Sequence, residues 1–191
     1  MAKQFWKPGN MLYPLPAVMV SCQRKNERPN IITIAWIGVV CTNPAMVSIS
    51  VRPQRHSYNI IKETKEFVIN LVNAELTRAM DYCGVKSGRD IDKFKATHLT
   101  PMESLHVSAP GIKESPVNLE CKVTKEIELG SHVLFLAEVK GVTVEGELLD
   151  NKGRLNLSKA GLVAYSHGEY CKLGAKVGKY GYSVRKKGKK R

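Results

Sequence analysis

Apolar positions along this chain fall into short runs and alternations more often than into helical stripes. Residues 17–22 (AVMVSC) and 31–41 (IITIAWIGVVC) are β-branched and apolar, and the polar Asn26-Glu27-Arg28-Pro29 between them supplies a turn, so the pattern predicts a strand pair. Residues 45–52 set Met46, Ser48, Ser50 and Arg52 against Ala45, Val47, Ile49 and Val51, the period of a strand with one apolar face. Pro53 ends that strand, and Ser57 is placed to cap a short helix over 58–64. Residues 66–72 (EFVINLV) return as a strand. Asn73 is then a candidate N-cap for an amphipathic helix over 74–83, with Leu76, Ala79, Met80 and Cys83 at helical spacing and Gly84 as its stop. A loop, SGRDIDKF (87–94), follows. Alternating runs at 117–128 and 132–145 meet at Gly130-Ser131 and predict an antiparallel hairpin, and 160–165 adds a short strand. About six strands with a few short helices, and no βαβ alternation, predict a mainly β fold: an antiparallel β-barrel with short helices.

Composition places this fold in one domain. The 191 residues are 43% hydrophobic and 25% charged, enough for a single core. No apolar run approaches the roughly 18 residues of a membrane span, and the N-terminus lacks a signal-peptide core, so the expected compartment is the cytoplasm. The five cysteines at 22, 41, 83, 121 and 171 are dispersed and form no CxxC pair, which argues against a disulfide framework or a zinc knuckle. Cys41 and Cys121 read as small buried hydrophobes. The net charge of +13 owes six charges to the last seven residues, RKKGKKR. The expected organisation is therefore a domain over 1–183 and a basic, disordered tail over 184–191. A nucleic-acid-binding role is a rival from another class, supported by the tail alone.

Familiar catalytic signatures are missing: no GxGxxG follows a strand, and GxxxxGK[ST], HExxH and GxSxG do not occur. The spacing of His56, His98, His106, His132 and His167 supports no metal site. What stands out is 30–58, where hydroxyl, amide and guanidinium groups recur among strand-forming residues. Such groups need partners, because an unpaired buried one costs on the order of 1–3 kcal/mol. A sheet with one wet face and a polar ligand both satisfy that need.

Pro29-Asn30, Thr33, Ala35-Trp36, Asn43-Pro44, Arg52, His56-Ser57-Tyr58, Ile61, Glu66-Phe67 and Asn70 resemble the pattern of the flavin reductase-like, or flavoredoxin, family. The likeness runs on through Cys83-Gly84, Ser87-Gly88-Arg89-Asp90, Asp92-Lys93-Phe94, Ala109-Pro110, Leu119-Glu120-Cys121, Gly130-Ser131-His132, Tyr170 and Leu173-Gly174. It implies an FMN-binding split barrel of antiparallel, Greek-key-like topology, a homodimer, and an oxidoreductase supplied with electrons by NAD(P)H or a redox protein. An FMN carrier without nicotinamide turnover is the alternative within the family. The carried-over residues then take roles. Asn30, Thr33, Ala35 and Trp36 are candidates for the isoalloxazine ring, with Trp36 equally readable as a core tryptophan. Ser48, Ser50, Arg52 and Ser57, aided by the N-terminus of the following helix, are candidates for the phosphate. Tyr58 is carried over with them as cofactor-binding. Lys93 is placed near the ring, where a cation stabilises the reduced anion. His132 is assigned to the nicotinamide side, although Ser131 stands where related reductases often carry an aspartate, which weakens the case for nicotinamide use.

Overall fold

The computed structural model describes residues 2–184; of the expected basic tail, residues 185–191 lie outside it. Twelve strands and three α-helices are present among the described residues: β1 (Leu15–Pro16), β2 (Val18–Cys22), β3 (Asn30–Ile34), β4 (Ile37–Cys41), β5 (Met46–Val51), α1 (His56–Thr64), β6 (Glu66–Leu71), α2 (Thr77–Val85), α3 (Lys93–Ala96), β7 (Pro101–Met102), β8 (Gly111–Ile112), β9 (Val117–Leu129), β10 (His132–Val144), β11 (Val163–Ser166) and β12 (Glu169–Lys172). The fold is mainly β, as the alternation predicts.

Seven strands form one antiparallel sheet in the order β3-β2-β6-β9-β10-β5-β4. Its two edges, β3 and β4, are consecutive in sequence and joined only by Ala35 and Trp36. So short a link brings the edges together, and the sheet must curl into a barrel with a seam there. The run 31–41, expected as one strand, is therefore two. Ile37 N–H bonds to Ala35 O at 3.0 Å and Ser50 N–H to Trp36 O at 2.9 Å, which fixes the break.

Inside the barrel pack Val20, Ile49, Phe67 and Phe135, with Tyr58 and Ile61 of α1. A second cluster, on the outer face of β2 and β3, joins Met19 and Ile31 to Met80, Cys83 and Phe94 of α2 and α3. All five residues of β2 are buried, which is why these strands read as unbroken apolar runs rather than alternations. In β5 the alternation holds: Val47, Ile49 and Val51 are buried and Met46, Ser48 and Ser50 half-buried.

Several local expectations are corrected. Helix α1 starts at His56, and Ser57 does not cap it; its Oγ instead accepts from Asn30 Nδ2 at 2.7 Å. Asn73 does accept from Leu76 N–H at 3.0 Å, but as a turn ahead of α2, which runs past Gly84 to Val85. The 87–94 loop ends in α3, capped by Asp92 accepting from Lys95 N–H at 3.1 Å. Cys22, Cys83 and Cys121 are buried, whereas Cys41 is half-buried and Cys171 exposed. No helix among the described residues is long and apolar enough to cross a membrane.

Candidate functional site

The barrel seam opens into two adjoining cavities that share Ile32, Arg52 and Arg55. One, of about 430 Å³, is walled by the break itself, Thr33 to Trp36, by Ser50 and Val51 of β5, by Asp81 and Gly84 of α2, and by His132, Tyr165 and Tyr170. The other, of about 350 Å³, lies between the start of α1 and the loop after α2, and is lined by Asn30, Arg52, Arg55, His56, Ser57, Lys86, Ser87, Gly88, Arg89 and Lys93 among others. Both are of ordinary ligand-binding size.

The first cavity is aromatic at its rim. Trp36 is 39% exposed and stacks on His132 with ring centroids 6.4 Å apart and planes 2° from parallel. Tyr165 lies 6.4 Å from Trp36 and 5.9 Å from Tyr170, and Tyr170 Oη donates to Asp81 Oδ1 at 3.0 Å. Burial, followed by that bond to a carboxylate, pushes the Tyr170 hydroxyl up to about 12, so it remains protonated. The wall supplies backbone donors as well: the N–H groups of Ala35 and Trp36 find no acceptor among the described residues. Thr33 donates its hydroxyl to Met80 O, which ties the wall to α2.

The second cavity is cationic. Arg52, Arg55, Lys86, Arg89 and Lys93 line it, and none pairs with a carboxylate among the described residues. Lys93, 3% exposed, donates to Ile31 O and Cys83 O, both at 2.7 Å. Burial lowers its pKa to about 8, and two carbonyl partners leave its third N–H free. Gly88 is required by close approach: a Cβ there would sit 1.9 Å from Asn30 Oδ1, and Asn30 cannot yield without losing Ser57. Cys22 and Cys83 near the cavity are not nucleophiles, because burial raises their thiols to about 12 and about 11.

Of the residues expected from the sequence, Asn30, Thr33, Ala35, Trp36, Ser50, Arg52, Ser57, Lys93 and His132 all line one or other cavity, but Asn30 and Lys93, expected at the ring, lie in the cationic one, and Ser50, expected at the phosphate, lies in the aromatic one. Two are placed elsewhere. Ser48 faces a neighbouring cleft roofed by the N-terminal segment, Gly9 to Tyr13, because the outer face of β5 runs on under that segment. Tyr58 is 8% exposed and packs 5.8 Å from Phe135 inside the barrel, where helical spacing puts it beside Ile61. The sequence reading missed Arg55, Lys86, Asp81 and Tyr165. Arg55 alone carried a local signal, one turn beyond Arg52 and next to the start of α1.

His132 keeps an orienting partner: Ser131 Oγ lies 2.9 Å from its Nδ1. Burial, then Arg52, lowers its pKa below the usual histidine value, so the ring is neutral at neutral pH. Among the described residues no three His, Cys, Asp or Glu side chains cluster so as to hold a metal. A seam offering backbone donors and aromatic faces on one side and unpaired cations on the other is suited to a planar, phosphorylated ligand.

A barrel split at such a seam belongs to the split-barrel class of antiparallel β folds. The chain belongs to the flavin reductase like domain family, whose model matches residues 11–174. An uncharacterized protein of Archaeoglobus fulgidus is 34% identical over 145 residues, 76% of this chain and 81% of that one. The flavoredoxin of Desulfovibrio vulgaris (Miyazaki F) superposes with a TM-score of 0.90 at 30% identity, covering 96% of this chain and all of that one. An FMN-binding protein from Thermus thermophilus superposes at 0.74 with 26% identity, covering 90% and 94%.

Proposed function

We propose that the chain is an FMN-dependent redox protein that accepts electrons from NAD(P)H or a redox protein. The observation that carries this reading is the pair of adjoining cavities, aromatic with free backbone donors on one side and cationic without a lining carboxylate on the other. Thr33, Ala35, Trp36 and Ser50 would hold the ring, and Arg52, Arg55, Ser57 and Lys93 the phosphate and its linker. Bound FMN supplies the electron-accepting and electron-donating centre. The backbone donors at Ala35 and Trp36 orient the ring, Arg52 bridges the two cavities, and the aromatic rim keeps water from one face. Lys93, fixed by two carbonyls, presents positive charge to the phosphate side without having to reorganise, which favours an anionic group there.

The likeness to a flavoredoxin and to an FMN-binding protein supports flavin as the ligand class. Assembly as a homodimer is part of the proposal, since β4 is a sheet edge with Val39 82% exposed. A second reading, an electron carrier without nicotinamide turnover, draws on Ser131. Its hydroxyl orients His132 but, being neutral, does not stabilise an imidazolium as an aspartate would. The test is direct. Purified full-length protein is titrated with FMN by absorbance, then treated anaerobically with NADH and NADPH. Absence of any flavin signal refutes the proposal. Bleaching by a nicotinamide supports the first reading, and bound FMN that neither nucleotide bleaches selects the second.

A further inference from the structure

His56 opens α1 and lines the cationic cavity, half-buried. Gly88 packs so close that a Cβ there would lie 3.0 Å from its Cδ2. Cations face it from every element around the cavity: Arg52 and Arg55 before its own helix, Lys86 and Arg89 at and beyond the end of α2, Lys93 of α3, and Arg24 and Arg28 between β2 and β3. Arg28 donates to Gly88 O at 3.0 Å and so braces the opposite wall. Of these cations only Arg24 is paired among the described residues, with Glu63 and Glu27. Asn30, Gln54, Ser57 and Ser87 are the neutral polar groups, and no carboxylate lines the cavity. Burial first, and then Arg89, Arg24, Lys93 and Arg28, hold the ring's pKa below the ordinary histidine value. In the free protein His56 is therefore neutral at pH 7. A dianion entering the cavity reverses the field at the ring, because the unpaired cations gain a counter-charge and the imidazole gains an acceptor.

We infer that His56 takes up a proton when the phosphate of the flavin enters the cavity, and thereby selects the phosphorylated flavin over riboflavin. The inference rests on the proposed reading of the cavity as a flavin phosphate site. The proton comes from solvent and forms a second ring N–H that donates to the phosphate; nothing else is exchanged. The sign of the pH dependence follows. Binding raises a pKa that is depressed in the free protein, so the His56 contribution to affinity is fully present below the free-state value and falls, by up to about tenfold per pH unit, as pH rises from the free-state towards the bound-state value.

Two other groups titrate nearby. Lys93, near 8, is already about nine-tenths charged at pH 7. The phosphate, with a second pKa of about 6, is almost wholly a dianion there and can only release its residual proton. At pH 7.0 their contributions are small and opposite, which isolates His56. The experiment is calorimetric titration of the flavin-free full chain at pH 7.0 with FMN and with riboflavin, each in buffers of differing ionisation enthalpy. The expected result is net uptake on the order of 0.5 proton per FMN, none with riboflavin, and loss of the uptake in His56→Asn together with roughly tenfold less preference for FMN over riboflavin. Wild-type protein that binds FMN without proton uptake overturns the inference, as does His56→Asn that retains the uptake. The wild-type comparison of the two flavins stands even if the variant does not fold. A chain that binds neither flavin overturns the proposed function along with the inference, and is distinguished from the other outcomes by its absent heat of binding.

Discussion

Arg52 belongs to both cavities at once, because it follows the last residue of β5 where that strand meets the seam. With no carboxylate partner among the described residues, its guanidinium is available to an anionic ligand. A charge-assisted bond to phosphate contributes about 1.5–3 kcal/mol. Arg52→Ala is therefore expected to weaken FMN binding by roughly tenfold to a hundredfold, measured by fluorescence titration, with riboflavin affinity little changed. Lys93 allows a test without any ligand. Its pKa is about 8 in the folded protein against 10.5 for the ordinary lysine value, with burial the cause. Between those values the unfolded chain binds more protons than the folded one, so stability rises with pH across that window; below pH 8 the penalty is fully present. Denaturation of the flavin-free protein, compared with Lys93→Met at each pH, is expected to show wild type gaining on the variant from pH 8 to pH 10. A constant difference would place the titration outside that window.

At the scale of elements, the side of the sheet away from the seam is held by a polar knot. Asn70 of β6 donates from Nδ2 to Met19 O, Ser21 Oγ and Val68 O, at 3.0, 3.0 and 3.1 Å. Its Oδ1 accepts from Ile112 N–H at 2.8 Å and Asn118 Nδ2 at 2.7 Å. One side chain thus joins β2, β6, β8 and β9. Removing it strands several buried partners, each worth about 1–3 kcal/mol, so Asn70→Ala is expected to lower unfolding stability by roughly 2–4 kcal/mol in urea while leaving FMN affinity within about twofold. Asn70 is visible in the sequence as one polar residue within an apolar strand; its partners are not, because they come from three other elements. The same division governs the rest of the chain. The alternation of β5 and the hairpin of β9 and β10 follow from local pattern and were legible. The break at Ala35-Trp36 was not, because an apolar run looks the same whether it continues as one strand or crosses from one sheet edge to the other. Most cavity residues of the 30–58 segment were legible for the opposite reason, since the seam is built within that segment. Lys86 and Tyr165 reach it only through the placement of α2 and β11, which no local pattern encodes.

For the whole molecule, the curled sheet leaves the Val39-Val40 stretch of one edge strand uncovered. β4 ends the seven-strand order, and its Val39 and Val40 are 82% and 49% exposed. The N-terminal segment adds Phe5 at 107%, Trp6 at 73% and Leu12 at 82%, apolar side chains that the subunit's own core does not take up. An exposed apolar edge strand invites pairing with another chain, and natural proteins usually blunt such edges with charge or cover them. Here β4, IGVVC, carries no charge, and the N-terminal segment roofs only its Ile37-Gly38 end, which leaves Val39 and Val40 open. A second copy is the occupant that the proposed homodimer supplies, and a two-fold interface would cover both edges at once. Light scattering behind size exclusion is expected to give twice the chain mass of 21.2 kDa for the wild type. Val39→Asp, which places a charge on the uncovered edge and touches neither cavity, is expected to shift that mass towards the single chain at micromolar concentration. Far-UV circular dichroism of the variant separates a folded monomer from a misfolded one, and a wild type that runs as a monomer refutes the assembly outright.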